Sequence, residues 1–112
     1  MKTLGQKGEE LAVDHLRRAG YLILARNWRC DRGEIDIVAK AGNILVFVEV
    51  KTRRSSRLGT PQEAVDFRKQ EKLRYLAYRF INATGITAAE YRFDVAAINA
   101  KNNTVTIIKN AF

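Results

Sequence analysis

The sequence predicts an α/β fold, a central sheet of about five strands flanked by helices. Three observations carry that expectation. Two segments repeat apolar residues at helical spacing. Five short segments are rich in apolar and β-branched residues. Their order along the chain is helix, three strands, helix, two strands. Each element must bury an apolar face or stripe, and a sheet with helices laid on it is the economical way for one short chain to do so.

Residues 4–19 read as the first helix, with Leu11, Ala12, His15, Leu16 and Ala19 at helical spacing and Gly20 as the stop. His15, on that apolar side, is expected to be partly buried and to have no catalytic task. Residues 21–28 are short, apolar and aromatic, hence a strand, with Trp28 in the core. Residues 34–40 alternate and form a second strand, and Ala41, Gly42 and Asn43 turn the chain into a third at 44–51. The near-continuous apolar character of that third strand places it centrally, buried on both faces. Residues 52–61 are polar and basic and hold Gly59 and the single proline, Pro61, so a turn or mobile loop is expected there. A second helix follows over 62–84, with Val65, Leu73, Leu76, Ala77, Phe80 and Ile81 as its stripe and Gly85 at its end. Residues 92–99 and 104–109 are two further strands.

A chain of 112 residues can build a core without disulfide or metal staples. With 46% hydrophobic and 29% charged residues, its composition is globular and consistent with a single domain over 1–112. Lys and Arg number 20 against 12 Asp and Glu, a net charge of +8, which predicts an anionic partner, nucleic acid first. The lone Cys30 excludes an internal disulfide and a cysteine-rich zinc site, and the lone His15 excludes a multi-histidine metal site. The longest apolar run, 44–48, is far short of a membrane span, and the first residues carry charges where a signal peptide would be apolar. A cytoplasmic protein without membrane contact is expected.

The informative segment is 33–53. Glu49 and Lys51 lie two apart on one strand and so share a face, with Val48 and Val50 on the other. The hairpin brings Asp36 back within reach of Glu49. Charges inside a run of Ile, Leu, Val and Phe need a compensating partner. A divalent cation is one, and Mg²⁺ takes one or two carboxylates with waters and a substrate phosphate. Asp36 and Glu49, with the main-chain carbonyl of Val50, meet that demand, and Lys51 is placed for a phosphate oxygen or the attacking water. The implied chemistry is phosphodiester hydrolysis, with Mg²⁺ or Mn²⁺. The plainer alternative is an ion pair between Glu49 and Lys51 on a more exposed strand. Glu9 bears on the choice. It shares a helical face with Ala12 and Leu16, whereas Glu10 aligns with Asp14 and Arg17 on a solvent row. Glu9 is therefore the inward carboxylate.

Asp36 followed by Glu49-Val50-Lys51 resembles the PD-(D/E)xK nuclease signature, although Gly33-Glu34-Ile35 stands where a proline often precedes the aspartate. Gly5-x-x-Gly8-Glu9, Asn27-x-Arg29, the stretches 33–39 and 47–53, and Arg92-Phe93-Asp94-Val95 together resemble the YraN-type family of small bacterial proteins, across nearly the whole chain. That family is similar to archaeal Holliday junction resolvases, in which a helical Gly-x-x-x-Glu and a Gly-aromatic pair precede the Asp and Glu-x-Lys strands. Gly5 to Glu9, Gly20-Tyr21, Asp36 and Glu49-Val50-Lys51 match that order. The resemblance implies a restriction-endonuclease-like fold with a mixed sheet, and Glu9, Asp36, Glu49 and Lys51 as the catalytic set. Because such resolvases act as dimers, it also makes a homodimer a candidate.

Basic residues supply the means of holding a polyanion. Arg26, Arg29 and Arg32 lie around the first hairpin, Arg53, Arg54 and Arg57 follow Lys51, and Lys69 leads a basic series on the second helix. Arg29, Arg53, Arg54, Arg57 and Lys69 are the candidate phosphate contacts. Arg74 and Arg79 are expected on a solvated face. Such contacts position a strand without reading its sequence and do not separate DNA from RNA. Two readings follow: a metal-dependent endonuclease acting on DNA, including branched DNA, or a non-catalytic nucleic-acid-binding module or assembly factor on the same fold. Three converging carboxylates favour the first, because without a cation they repel phosphate.

Overall fold

The computed structural model describes residues 1–54 and 65–112. The elements are α1 (Leu4–Arg18), β1 (Leu22–Cys30), β2 (Gly33–Ala41), β3 (Ile44–Arg53), α2 (Phe67–Thr84), β4 (Glu90–Asn99) and β5 (Thr104–Ile108). The strands form one sheet in the order β1-β2-β3-β4-β5. Only β3 and β4 run parallel, connected across the sheet by the segment that carries α2. The other neighbours are antiparallel. This mixed α/β sheet with two helices is the restriction-endonuclease-like arrangement, and β3 is its central strand, as its apolar run requires.

Each helix covers one face. Ala12, Val13 and Leu16 of α1 bury against Ile37, Ala39, Val46, Val48, Ala96 and Ile98. Leu73, Leu76, Ala77 and Phe80 of α2 bury against the opposite side, where Ile35, Val38, Leu45, Phe47 and Val95 lie. Trp28 joins that second core, its ring edge-to-face with Phe80 at 5.5 Å. Among the described residues no helix is long and apolar enough to cross a membrane.

Two local devices set the approach of α1. Thr3 and Gln6 close a capping box at its first turn. Gly8, mid-helix, lies against β3: a Cβ there would fall 1.9 Å from Thr52 Oγ1. A glycine inside a helix costs stability, and here it lets the helix seat directly on the strand.

The structure corrects several expectations. His15 is exposed, because the buried stripe runs through Gly8, Ala12, Val13 and Leu16 and leaves it on the flank. Thr52 and Arg53 belong to β3, since the parallel ladder continues to Arg53 opposite Asn99 and Ala100 N–H donates to the Arg53 carbonyl. The second helix begins at Phe67, capped by Asp66, whose carboxylate accepts from Lys69 N–H at 2.9 Å. Val65 is buried but precedes it. Arg74 and Arg79 do lie at the surface as expected, in exposed pairs with Glu71 and Asp31. The loop expected over 55–61, its Arg57, and the helix start at Gln62 lie outside the described residues.

Candidate functional site

The candidate site forms at the carboxyl end of β3, where the β2–β3 ladder stops. Its last antiparallel pair is Ile37 with Val48, so the register sets Asp36 across from Glu49. Beyond that pair the Val50 N–H donates to Asp36 Oδ2 at 2.8 Å. The side-chain carboxylate thus takes a main-chain donor at the end of the ladder. Alternation slips at the same level: Ile37 faces α1 while Ile35 faces α2, although strict alternation would put them on one side.

Glu49 is half-buried on the α2 side, its side chain 12% exposed, with Lys69 Nζ of α2 at 3.4 Å. Lys51, two residues on, shares that face and lies close enough to Lys69 for the two amines to act on each other. Glu9 is half-buried on α1 and acts on Asp36 through its charge. Burial first, then the charges of Glu49 and Glu9, push the Asp36 carboxyl up to about 7 against the Val50 N–H, which pulls it down. Burial first, then the Lys69 ammonium, lowers Lys51. Burial pulls Lys69 down, but the neighbouring Lys51 amine and the carboxylates of Glu49 and Asp36 outweigh that, and the net direction is up.

Among the described residues no three His, Cys, Asp or Glu converge tightly enough to hold an ion by themselves. The donor set is thus a pair, Asp36 and Glu49, with Glu9 at longer range. A pair of carboxylate oxygens with the Val50 carbonyl is nevertheless what Mg²⁺ takes when waters and a phosphate complete its octahedron. The raised Asp36 is the physical sign of a fit, since two carboxylates held together in a half-buried place are relieved by a divalent cation.

The remaining candidates divide. Lys69 is in the cluster itself. Arg29 is 78% exposed on β1, with Nη2 3.0 Å from Glu34 Oε2. Arg53 is partly buried in β3, and among the described residues its Nε has no hydrogen-bond partner. Arg54 is exposed just beyond the strand. Sequence reasoning missed the contact of Lys69 with Glu49, because the rotation of α2 over the sheet is a tertiary property. It also missed the role of Gly8, for which a glycine inside a helical pattern was an available signal. A further ionic cluster lies under α1. Asp94, fully buried, is gripped by Arg92 through Nε and Nη2, both at 2.9 Å. Asp94 also accepts from Asn110 N–H, while Arg92 donates to the Tyr21 hydroxyl. With every partner internal, this cluster ties the end of α1 and the C-terminal segment to β4.

Comparison with known proteins places these residues in a wider set. A family model described as "Uncharacterised protein family UPF0102" matches residues 8–98, a span that includes Glu9, Asp36, Glu49, Lys51 and Lys69. A UPF0102 protein of Caldicellulosiruptor saccharolyticus is 49% identical over 115 residues, covering 99% of this chain and 98% of that protein. A UPF0102 protein of Clostridium botulinum is 48% identical over 116 residues, covering 99% of this chain and 94% of its own length.

Proposed function

The chain belongs to the UPF0102 family, of the YraN type, and on that premise we propose that it is a Mg²⁺-dependent endodeoxyribonuclease that hydrolyses phosphodiester bonds, with branched or junction DNA as its substrate class. One observation carries the reading: Asp36 and Glu49 meet Lys51 at the open end of the central strand, with Glu9 near enough to act on Asp36. A protein that only binds nucleic acid gains nothing from carboxylates beside phosphate.

Asp36, Glu49 and the Val50 carbonyl would hold Mg²⁺, with Mn²⁺ as a substitute. When bound, the ion supplies charge neutralisation at the phosphate and a lowered pKa for water. Lys51 holds a non-bridging phosphate oxygen or orients the attacking water, and Lys69 adds a second ammonium to the same anion. Glu9 accepts a hydrogen bond from a water on the α1 side. Arg29, Arg53, Arg54 and Arg57 bear on phosphates away from the scissile one. A homodimer in the cytoplasm completes the proposal. One observation favours a second reading, a nucleic-acid-binding module without cleavage: the Lys69 ammonium already offsets Glu49 from within the chain.

The test is cleavage of labelled linear, flapped and four-way DNA with Mg²⁺ or Mn²⁺, together with calorimetric titration of Mn²⁺. Asp36→Asn should lose both metal binding and cleavage. Lys51→Ala should lower cleavage at least about a hundredfold, as removal of one preorganised donor does, while leaving DNA binding largely intact. Glu9→Gln should cost more activity than Glu10→Gln, because Glu10 is tied to Lys2 at the surface. A wild type that binds DNA but cleaves none of these substrates with either metal replaces this reading with the second.

A further inference from the structure

We propose that a pocket between the start of α1 and β1, beside the carboxylate cluster, seats the nucleotide that flanks the scissile phosphate. The inference rests on the nucleic-acid reading above and adds a subsite to it.

The cavity, ≈ 190 Å³, is lined by Lys2, Gln6, Glu9, Glu10, Arg26 and Asn27. Pockets for whole small molecules run to about 300–1,000 Å³, so this one suits a single unit of a polymer that continues outside it. Three of its side chains are committed: Lys2 pairs with Glu10, and Gln6 Oε1 accepts from Thr3 N–H. Glu9, Arg26 and Asn27 remain to face a ligand. Arg26 and Asn27 are both exposed, and among the described residues Arg26 has no carboxylate partner.

Consecutive strand residues ordinarily point to opposite faces. Asn27 has φ 50°, in the left-handed region that Asn tolerates better than most residues, and this break lets both Arg26 and Asn27 line one cavity. The break has a definite address. Arg26 pairs with Ile37 and Trp28 with Ile35, so Asn27 stands across from Asp36. Glu9 spans the two places, lining the pocket and acting on Asp36. A strand with one phosphate at Asp36 and Glu49 would therefore carry its neighbouring nucleotide between α1 and β1.

The chemistry agrees with that occupant. A guanidinium is a two-pronged donor to phosphate, and the Asn27 amide offers a donor and an acceptor to a sugar or base edge. Glu9 and Glu10 in the wall disfavour a free multiply charged phosphate. A phosphodiester unit carries a single charge and presents neutral groups to those carboxylates.

The test measures binding, so that it does not depend on cleavage. A fluorescent single-stranded oligonucleotide is titrated with the full chain in Ca²⁺, followed by anisotropy at several salt concentrations. Arg26→Ala should weaken binding about tenfold and reduce the slope of log affinity against log salt by about 0.7, one phosphate contact, with Arg26→Lys restoring the slope. Asn27→Gly keeps the backbone free to adopt its φ and removes only the amide, and it should weaken binding about fivefold. Wild-type affinity in both Arg26→Ala and Asn27→Gly overturns the subsite. Oligonucleotide binding in Ca²⁺ together with no cleavage of linear, flapped or four-way DNA in Mg²⁺ or Mn²⁺ removes the nuclease reading and leaves these comparisons standing. A wild type that binds four-way DNA but not the oligonucleotide overturns the subsite alone, and one that binds neither overturns the nucleic-acid reading with it.

Discussion

Asp36 couples the candidate site to the stability of the fold. Its carboxyl, raised to about 7 from the ordinary 3.8, holds a proton that the unfolded chain releases at lower pH. The stabilisation from that proton is complete below the unfolded value and is lost as pH rises through about 7. A metal acts with the opposite sign, since it needs the carboxylate, and its apparent affinity should drop up to about tenfold per pH unit below 7. Thermal unfolding should therefore show two things. The metal-free wild type should lose stability between about pH 5 and 8 more steeply than Asp36→Asn, and added Mn²⁺ should raise the midpoint more at about pH 8 than at about pH 5. Equal pH slopes for wild type and Asp36→Asn would remove the carboxyl from this role. The proximity of Asp36 and Glu49 was legible in the sequence, because a short hairpin turn at Ala41–Ile44 fixes which residues face each other. Helical spacing set Glu9 apart from Glu10, yet both are half-buried and line one pocket. What separates them is that the Glu9 charge acts on Asp36 while Glu10 pairs with Lys2. His15 was misread by the same rule, because a stripe has edges and periodicity alone does not say how wide the sheet beneath it is.

At the scale of elements, the seat of α1 on β3 is the contact that brings Glu9 to the cluster. Gly8→Ala adds a better helix former, yet its Cβ meets Thr52 Oγ1 at 1.9 Å and Thr52 Cβ at 3.1 Å. Overpacking of this kind costs about 1–3 kcal/mol, more than the gain in helix propensity. The substitution should lower stability in urea by about that amount. Thr52→Ala in the same chain should recover most of it by removing the hydroxyl and methyl that collide. Additive losses in the double variant would mean that the helix does not rest on Thr52. The five strands and two helices were legible because each has its own period and the turns carry their own residues. The ends were less so. β3 outlasts its apolar run because β4 pairs with it as far as Arg53, and α2 starts late because Asp66 caps it.

For the whole molecule, the Arg92–Asp94 pair is the fastening between chain ends. Arg92 and Asp94 lie two apart on β4 and so share a face, which the sequence indicates. That the face is buried under α1, and that Tyr21 and Asn110 complete the cluster, depends on contacts far apart in sequence. Asp94→Ala should leave a half-buried guanidinium unpaired and cost about 3–5 kcal/mol in chemical denaturation, whereas Tyr21→Phe should cost about 1 kcal/mol. A loss under about 1 kcal/mol for Asp94→Ala would mean that water reaches Arg92. The topology also orders assembly in time. Asp36 and Glu49 are joined by a single hairpin, a contact of short sequence separation that closes early. Lys69 reaches Glu49 only once α2 has docked, and the parallel β3–β4 pairing waits for that whole crossover. On this route, the nascent chain assembles its acidic pair before the α2 lysine that offsets Glu49, and for that interval Lys51 and ambient cations stand in for it at the hairpin's open end.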